Sequence, residues 1–378
     1  MTSAESRKFF VYPLPFLKGI CILGVILIHL TATCTEMSRF GGLFHALVLL
    51  NSLSRFAVPL FIVFSGFYLS LNARNERAIP FYRRTLKFLL IPYLLYSLLY
   101  ALLQGLAGVR PTRLLFDILR GSAAPHLWFG LLIMQLYLLH PLLRRGYLAC
   151  RHRLAPVLAA LLVQIAWSVF ASTLLPALVA RLATTLFSAS SPLAATISRE
   201  VARLAGIAFV AHLGYFLGGY YLLDRAGEIR NWLRRPTTAT VGVLVWFAAA
   251  AGIAASWSIP LSRGIAWAAL PRPYLLHHLL TPLLSLAAFA TLLSFAGRPE
   301  RRPGPCRRGL HAFGLYAYGV YYLHPLFIML IAGAFRQRTG AVPIDSVAFQ
   351  LLRLLLVPCA AWFTAQLLAR LPFGKYFT

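Results

Sequence analysis

The chain has 378 residues, of which 60% are hydrophobic and 12% charged, and its 36 lysines and arginines outnumber 9 acidic residues for a formal charge of +27. A soluble domain carries about a quarter charged residues, so this composition excludes a soluble enzyme. The period-two alternation of a membrane β-barrel is absent as well. What remains is an all-α polytopic membrane protein, read as a single integral-membrane domain over 1–378 with about ten spans of roughly 20 apolar residues.

The first predicted span, 10–32, contains LKGICILGVILIHL, Leu17 to Leu30. Lys18 and His29 are eleven steps apart, about three helical turns, which puts both side chains on one face roughly 16 Å apart along the axis. Alone, Lys18 could reach the headgroups and His29 could pack with a satisfied ring. Together on one stripe they are read as lining a polar tunnel. The stretch is long and LTATC does not resemble a lipoprotein processing site, so it is read as an uncleaved span. The second span, 55–73, is preceded by an expected outer stretch at 33–54. It opens with Arg55 at the outer surface and carries Ser65-Gly66 deeper, in SRFAVPLFIVFSGFYL. The serine reads as helix packing, because no nucleophile elbow surrounds it. Arg83, Arg84 and Lys87 follow, ahead of the third span at 88–107. They are either topological anchors or an anion site for phosphates.

The fourth span, 126–143, opens HLWFG, with His126 and Trp128 at the outer interface. Spans follow at 154–176, 202–222, 238–256 and 274–295, and Gly214 and Gly218 in the sixth have the spacing of close helix contacts. The adjacent His277-His278 would point about 100° apart on a helix, a poor geometry for shared ligation. The ninth span, 312–334, contains AYGVYYLHP, where Tyr318, Tyr321, Tyr322 and His324 make a row that is polar for its depth. The tenth span is 347–369.

Most of the basic residues fall in alternate loops: Arg7 and Lys8, then Arg74 to Lys87, Arg144 to Arg153, Arg225 to Arg235, Arg298 to Arg308, and finally Arg370 and Lys375. This places both termini in the cytoplasm and explains the excess charge by topology rather than by nucleic acid. Five scattered cysteines without CxxC give no disulfide or zinc framework. No His or Cys pair has ligand spacing, so no metal and no tightly bound cofactor are expected. The competing class is a transporter or flippase of a lipid-linked sugar. An ion-coupled carrier needs carboxylates at mid-membrane, whereas Asp224 and Glu228 fall at an inner span end and the other acidic residues in loops.

Six segments in this order resemble the acyltransferase-3 family of bacterial membrane O-acyltransferases. They are Lys18 with ten residues before His29, PLFIVFSGF, Arg84-Thr85-Leu86-Lys87 before IPY, HLWF, FLGGYYL and YGVYYLHP, and together they cover roughly 10–335. The family usually has arginine where Lys18 and Lys87 stand, so the charge is kept and the planar fork that grips phosphate is lost. The resemblance implies a multi-pass protein of the bacterial inner membrane that moves an acyl group, acetyl first, from cytoplasmic acyl-CoA to a hydroxyl of a glycan or lipid-linked sugar. In that scheme Arg83, Arg84, Lys87 and Lys18 hold the donor. His29 is the general base or carries the acyl group covalently. Glu36, ahead of Asp117, is the carboxylate that could orient it. His126 and Arg55 assist at the outer mouth, with Arg55 either stabilising the oxyanion or anchoring the span. Trp128, Tyr322 and His324 contact substrate.

Overall fold

The computed structural model describes residues 10–37, 40–72, 78–106, 111–186, 192–263, 274–296 and 304–374. Of the residues used for orientation, Arg7, Lys8, Arg74, Arg77, Arg298, Arg301, Arg302 and Lys375 lie outside these. The described residues form helices and no strands. Nine helices among them are long and apolar enough to cross a membrane, and the protein is an all-α polytopic membrane protein. The expected fourth span exists as a 22-residue helix, Trp128–Ala149, but Gln135, His140, Arg144 and Arg145 make it too polar to stand among those nine.

The helices in chain order are α1 (Leu14–Thr31), α2 (Gly42–Ser54), α3 (Ala57–Asn72), α4 (Ala78–Leu106), α5 (Pro111–Leu119), α6 (Trp128–Ala149) and α7 (Leu154–Leu186). They continue as α8 (Pro192–Gly206), α9 (Leu213–Asp224), α10 (Ala226–Leu233), α11 (Pro236–Ser262), α12 (Tyr274–Ala296), α13 (Pro305–Leu315), α14 (Ala317–Thr339) and α15 (Val347–Ala369). Many boundaries follow local chemistry. Pro236 and Pro305 occupy first turns, where a missing N–H costs nothing. Ser346 caps α15 by accepting from the Phe349 N–H. Gly340 ends α14 at φ 78°.

Two compact units result, 1–61 with 225–378, and 62–224. In the first unit α1 is central and packs against α2, α13, α14 and α15, while α11 packs against α2 and α12. The contact between α1 and α13 is backbone on backbone. A Cβ at Gly314 would come within 1.7 Å of the Pro15 oxygen, and one at Gly19 within 2.1 Å of the Leu310 oxygen. In the second unit α7 packs against α8 and α9, and α4 against α5 and α6. Gly66 and Gly219 let α3 and α9 touch in the same way, since a Cβ at Gly66 would meet the Phe216 oxygen at 2.2 Å. The reading of Gly66 as a close helix contact therefore holds.

Three expected boundaries move. The outer stretch 33–54 is mostly the helix α2. It runs almost without break into α3, giving a 31-residue apolar run, Gly42–Asn72, with Arg55 at its joint rather than at its start. The fifth span extends from an expected end at 176 to Leu186, 33 residues in all, because Pro176 lies inside the helix instead of ending it. The ninth span begins at Ala317, and the preceding turns form the separate amphipathic α13.

Candidate functional site

In the first unit, Lys18 and His29 lie on one uninterrupted helix, α1, so the three-turn spacing read from the sequence is realised. Lys18 sits between Pro15 and Gly19, in the segment that α13 clasps. Nearby the Arg307 guanidinium lies 5.7 Å from the Phe16 ring. His29 is in the last turn of α1, where its imidazole meets that of His324 with ring centroids 5.1 Å apart. His324 is fully buried in α14. Its Nδ1 lies 3.2 Å from the Val320 carbonyl. A carbonyl only accepts, so Nδ1 carries a proton and donates it there. Tyr322, 1% exposed, shares this helix. Its hydroxyl is 3.3 Å from that of Tyr318.

The turn that carries His29 is held from several sides. Asn51 of α2 donates Nδ2–H to the Ile28 carbonyl at 3.1 Å and to the Thr31 hydroxyl at 2.9 Å. Thr31 in turn donates to the Leu27 carbonyl at 2.6 Å. Arg353 of α15 donates from Nη2 to the Leu30 carbonyl at 2.6 Å, to the Thr33 hydroxyl at 3.1 Å and to Gln350 Oε1 at 2.7 Å. Beyond Thr31 the chain tightens into a 3-10 helix, Ala32–Glu36. Glu36 therefore leaves the stripe expected of a continued α-helix, and its exposed side chain lies within electrostatic reach of Arg353.

Arg55 is half-buried. Its guanidinium lies 4.3 Å over the Trp257 ring, and Nη1 is 3.4 Å from His277 Nε2. A guanidinium only donates, so that nitrogen of His277 accepts, and Nδ1 faces the Thr281 hydroxyl at 3.3 Å. Arg55 thus packs at the joint between α2 and α3.

In the second unit, His126 is 1% exposed and meets the edge of Tyr100 with centroids 5.3 Å apart. It is a buried residue of the turn before α6. Trp128 opens α6 and stacks on His212 at 5.9 Å. Arg83, Arg84 and Lys87 form an exposed basic cluster in the first turns of α4. Tyr82 beside them donates to the Leu138 carbonyl at 3.0 Å, and Phe81 meets the His140 ring at 5.5 Å. Four acidic residues among the described ones have side-chain partners. Asp117 accepts from Ser122 at 2.8 Å, Glu200 pairs with Arg120 at 2.8 Å and Asp224 lies 3.8 Å from Arg153. In the first unit Glu228 pairs with Arg225 at 2.5 Å.

Several buried polar residues were passed over in the sequence. Asn51 fell within an expected loop. The buried pair of His140 Nδ1 and the Tyr220 hydroxyl, 2.5 Å apart, is carried by two separate helices and has no local motif. Arg353 had a signal, a lone charge inside an apolar span. Among the described residues no three His, Cys, Asp or Glu side chains group closely enough to hold a metal.

The chain matches the acyltransferase domain of the acyltransferase-3 family over residues 14–366. Among curated proteins and among solved structures none matches it.

Proposed function

Because the chain belongs to the acyltransferase-3 family and is a membrane acyltransferase, we propose that it transfers an acyl group, acetyl first, from cytoplasmic acyl-CoA to a hydroxyl of a glycan or lipid-linked sugar across the bacterial inner membrane. Both termini face the cytoplasm in this reading, and 1–378 acts as one domain. A single family match that crosses both compact units supports the latter. The observation that carries the mechanism is the His29 imidazole, three turns from Lys18 on one helix and half-buried against His324.

Arg83, Arg84 and Lys87 hold the donor phosphates at the cytoplasmic end, and Lys18 lies along the pantetheine arm. That arm is of order 15–20 Å, near the rise between Lys18 and His29. His29 takes the proton of the acceptor hydroxyl as its oxygen attacks the thioester carbonyl. The tetrahedral oxyanion collapses, the carbon–sulfur bond breaks, and the imidazolium returns the proton to the departing thiolate. Arg55 is the assigned oxyanion donor. His126, Trp128, Tyr322 and His324 complete the acceptor and donor contacts.

The test is transfer of radiolabelled acetyl from acetyl-CoA in inside-out membrane vesicles. Incorporation into a glycan or lipid-linked fraction is expected. Absence of transfer from acetyl-CoA and from longer acyl-CoAs overturns the proposal. Replacing Arg83, Arg84 and Lys87 together by alanine is expected to raise the apparent KM for acyl-CoA about tenfold, the loss of roughly 1.4 kcal/mol of binding. An unchanged KM at matched protein level removes these residues from the donor site. In the same assay Lys18→Arg is expected to match or exceed the natural protein, since it keeps the charge and adds a planar fork. Lys18→Ala is expected to lose most activity, and full activity there contradicts the stripe.

A further inference from the structure

Arg353 is 1% exposed inside an apolar helix. A charge buried there is costly, and evolution has cheaper ways to pack α15 against α1. Its three acceptors converge on one nitrogen, Nη2, and two of them belong to the chain just after His29, the Leu30 carbonyl and the Thr33 hydroxyl. The third, Gln350, lies one turn earlier on its own helix and fixes the guanidinium from behind. The Phe349 ring lies 5.0 Å from the guanidinium carbon.

Leu30 contributes one of the carbonyls that the end of α1 leaves without an intrahelical partner. A cation placed there also meets the negative end of the helix dipole. Asn51 holds the neighbouring carbonyl of Ile28 from α2. The residue between these two anchored carbonyls is His29. Both bonds reach the backbone on either side of the imidazole, and neither occupies the ring.

We infer that Arg353 is a positioning residue for His29: it pins the last turn of α1 from α15 and so sets the direction in which the imidazole meets the acceptor hydroxyl. Glu36 acts on His29 at second hand, by drawing on the Arg353 charge. The inference rests on His29 being the base, and the Arg353 contacts identify the residue that keeps it aimed.

The discriminating variant is Arg353→Met. A purely structural arginine would cost stability when lost, whereas exchanging a buried charge for a fitting apolar side chain is often neutral or stabilising. Arg353→Met is expected to keep its melting temperature in detergent and its KM for acyl-CoA, while kcat falls about 10²-fold, the scale of a misplacement of about 1 Å. Arg353→Lys is expected to recover part of that loss. The double variant His29→Ala with Arg353→Met is expected to be no slower than His29→Ala alone, because Arg353 acts only through the imidazole. Full kcat in Arg353→Met, a loss confined to KM, or multiplicative losses in the double variant each overturn the inference. Full activity in His29→Ala instead overturns the base assignment, so the two failures are distinguishable. Should Arg353→Met not fold, Gln350→Leu removes the rear anchor and is expected to lower kcat about tenfold at unchanged KM, again by misaiming the base. Unchanged kcat there overturns the inference equally.

Discussion

His29→Ala is expected to lower kcat for acyl transfer about 10³-fold, within the range that a positioned general base contributes. That corresponds to about 4 kcal/mol of barrier. The KM for acyl-CoA is expected to stay near that of the natural protein, because the assigned phosphate contacts lie at the other end of the donor. His324 keeps its own contact with the Val320 carbonyl when the His29 ring is removed. The measurement is acetyl transfer in inside-out vesicles at matched protein level. Equal rates for the two proteins exclude His29 as the base and turn attention to His324 or His126.

The second large effect concerns folding. Gly314→Ala puts a Cβ 1.7 Å from the Pro15 oxygen and 2.7 Å from the Gly19 nitrogen. Both are backbone atoms of α1, so no rotamer change relieves the contact and the helices themselves have to separate. Overpacking of this kind is expected to cost about 3 kcal/mol or more. Gly309, on the same helix, has open space around its Cβ position. Gly309→Ala is expected to be neutral or to stabilise α13 by about 0.5–1 kcal/mol. Thermal unfolding of the two variants in detergent checks this, and equal melting temperatures would contradict the backbone contact.

The sequence was informative where a signal is carried by one helix. Eleven residues between Lys18 and His29 determine a shared face as long as the helix is continuous, and α1 is. It was uninformative where a polar residue turns inward. Asn51 interrupts an apolar window in the same way as a loop residue, so α2 was read as part of an outer stretch. Its inward direction becomes visible only with the Ile28 carbonyl in place. Arg353 is the extreme case, because its partner Leu30 lies 323 residues away. His126 shows a further limit: beside Trp128 it has the look of an interfacial pair, yet packing against Tyr100 buries it. Pro176 lies inside a helix that the apolar residues after it carry on to Leu186, past the expected end at 176.

That last point bears on how the protein meets its lipids. At 33 residues, α7 is about 50 Å long, against a hydrocarbon layer of about 30 Å. The part from Leu154 to Pro176 already matches that thickness, at about 33 Å. Beyond it Leu178, Leu182 and Leu186 continue the row begun by Leu174, all exposed and spaced four apart. Leucines at this spacing share a face, and they are drawn towards hydrocarbon that an upright helix would leave behind. The helix therefore experiences hydrophobic mismatch: in a thin bilayer it lies over to keep the row submerged, and in a thick one it stands up. Bilayer thickness is thus a variable that this enzyme's second unit is built to feel.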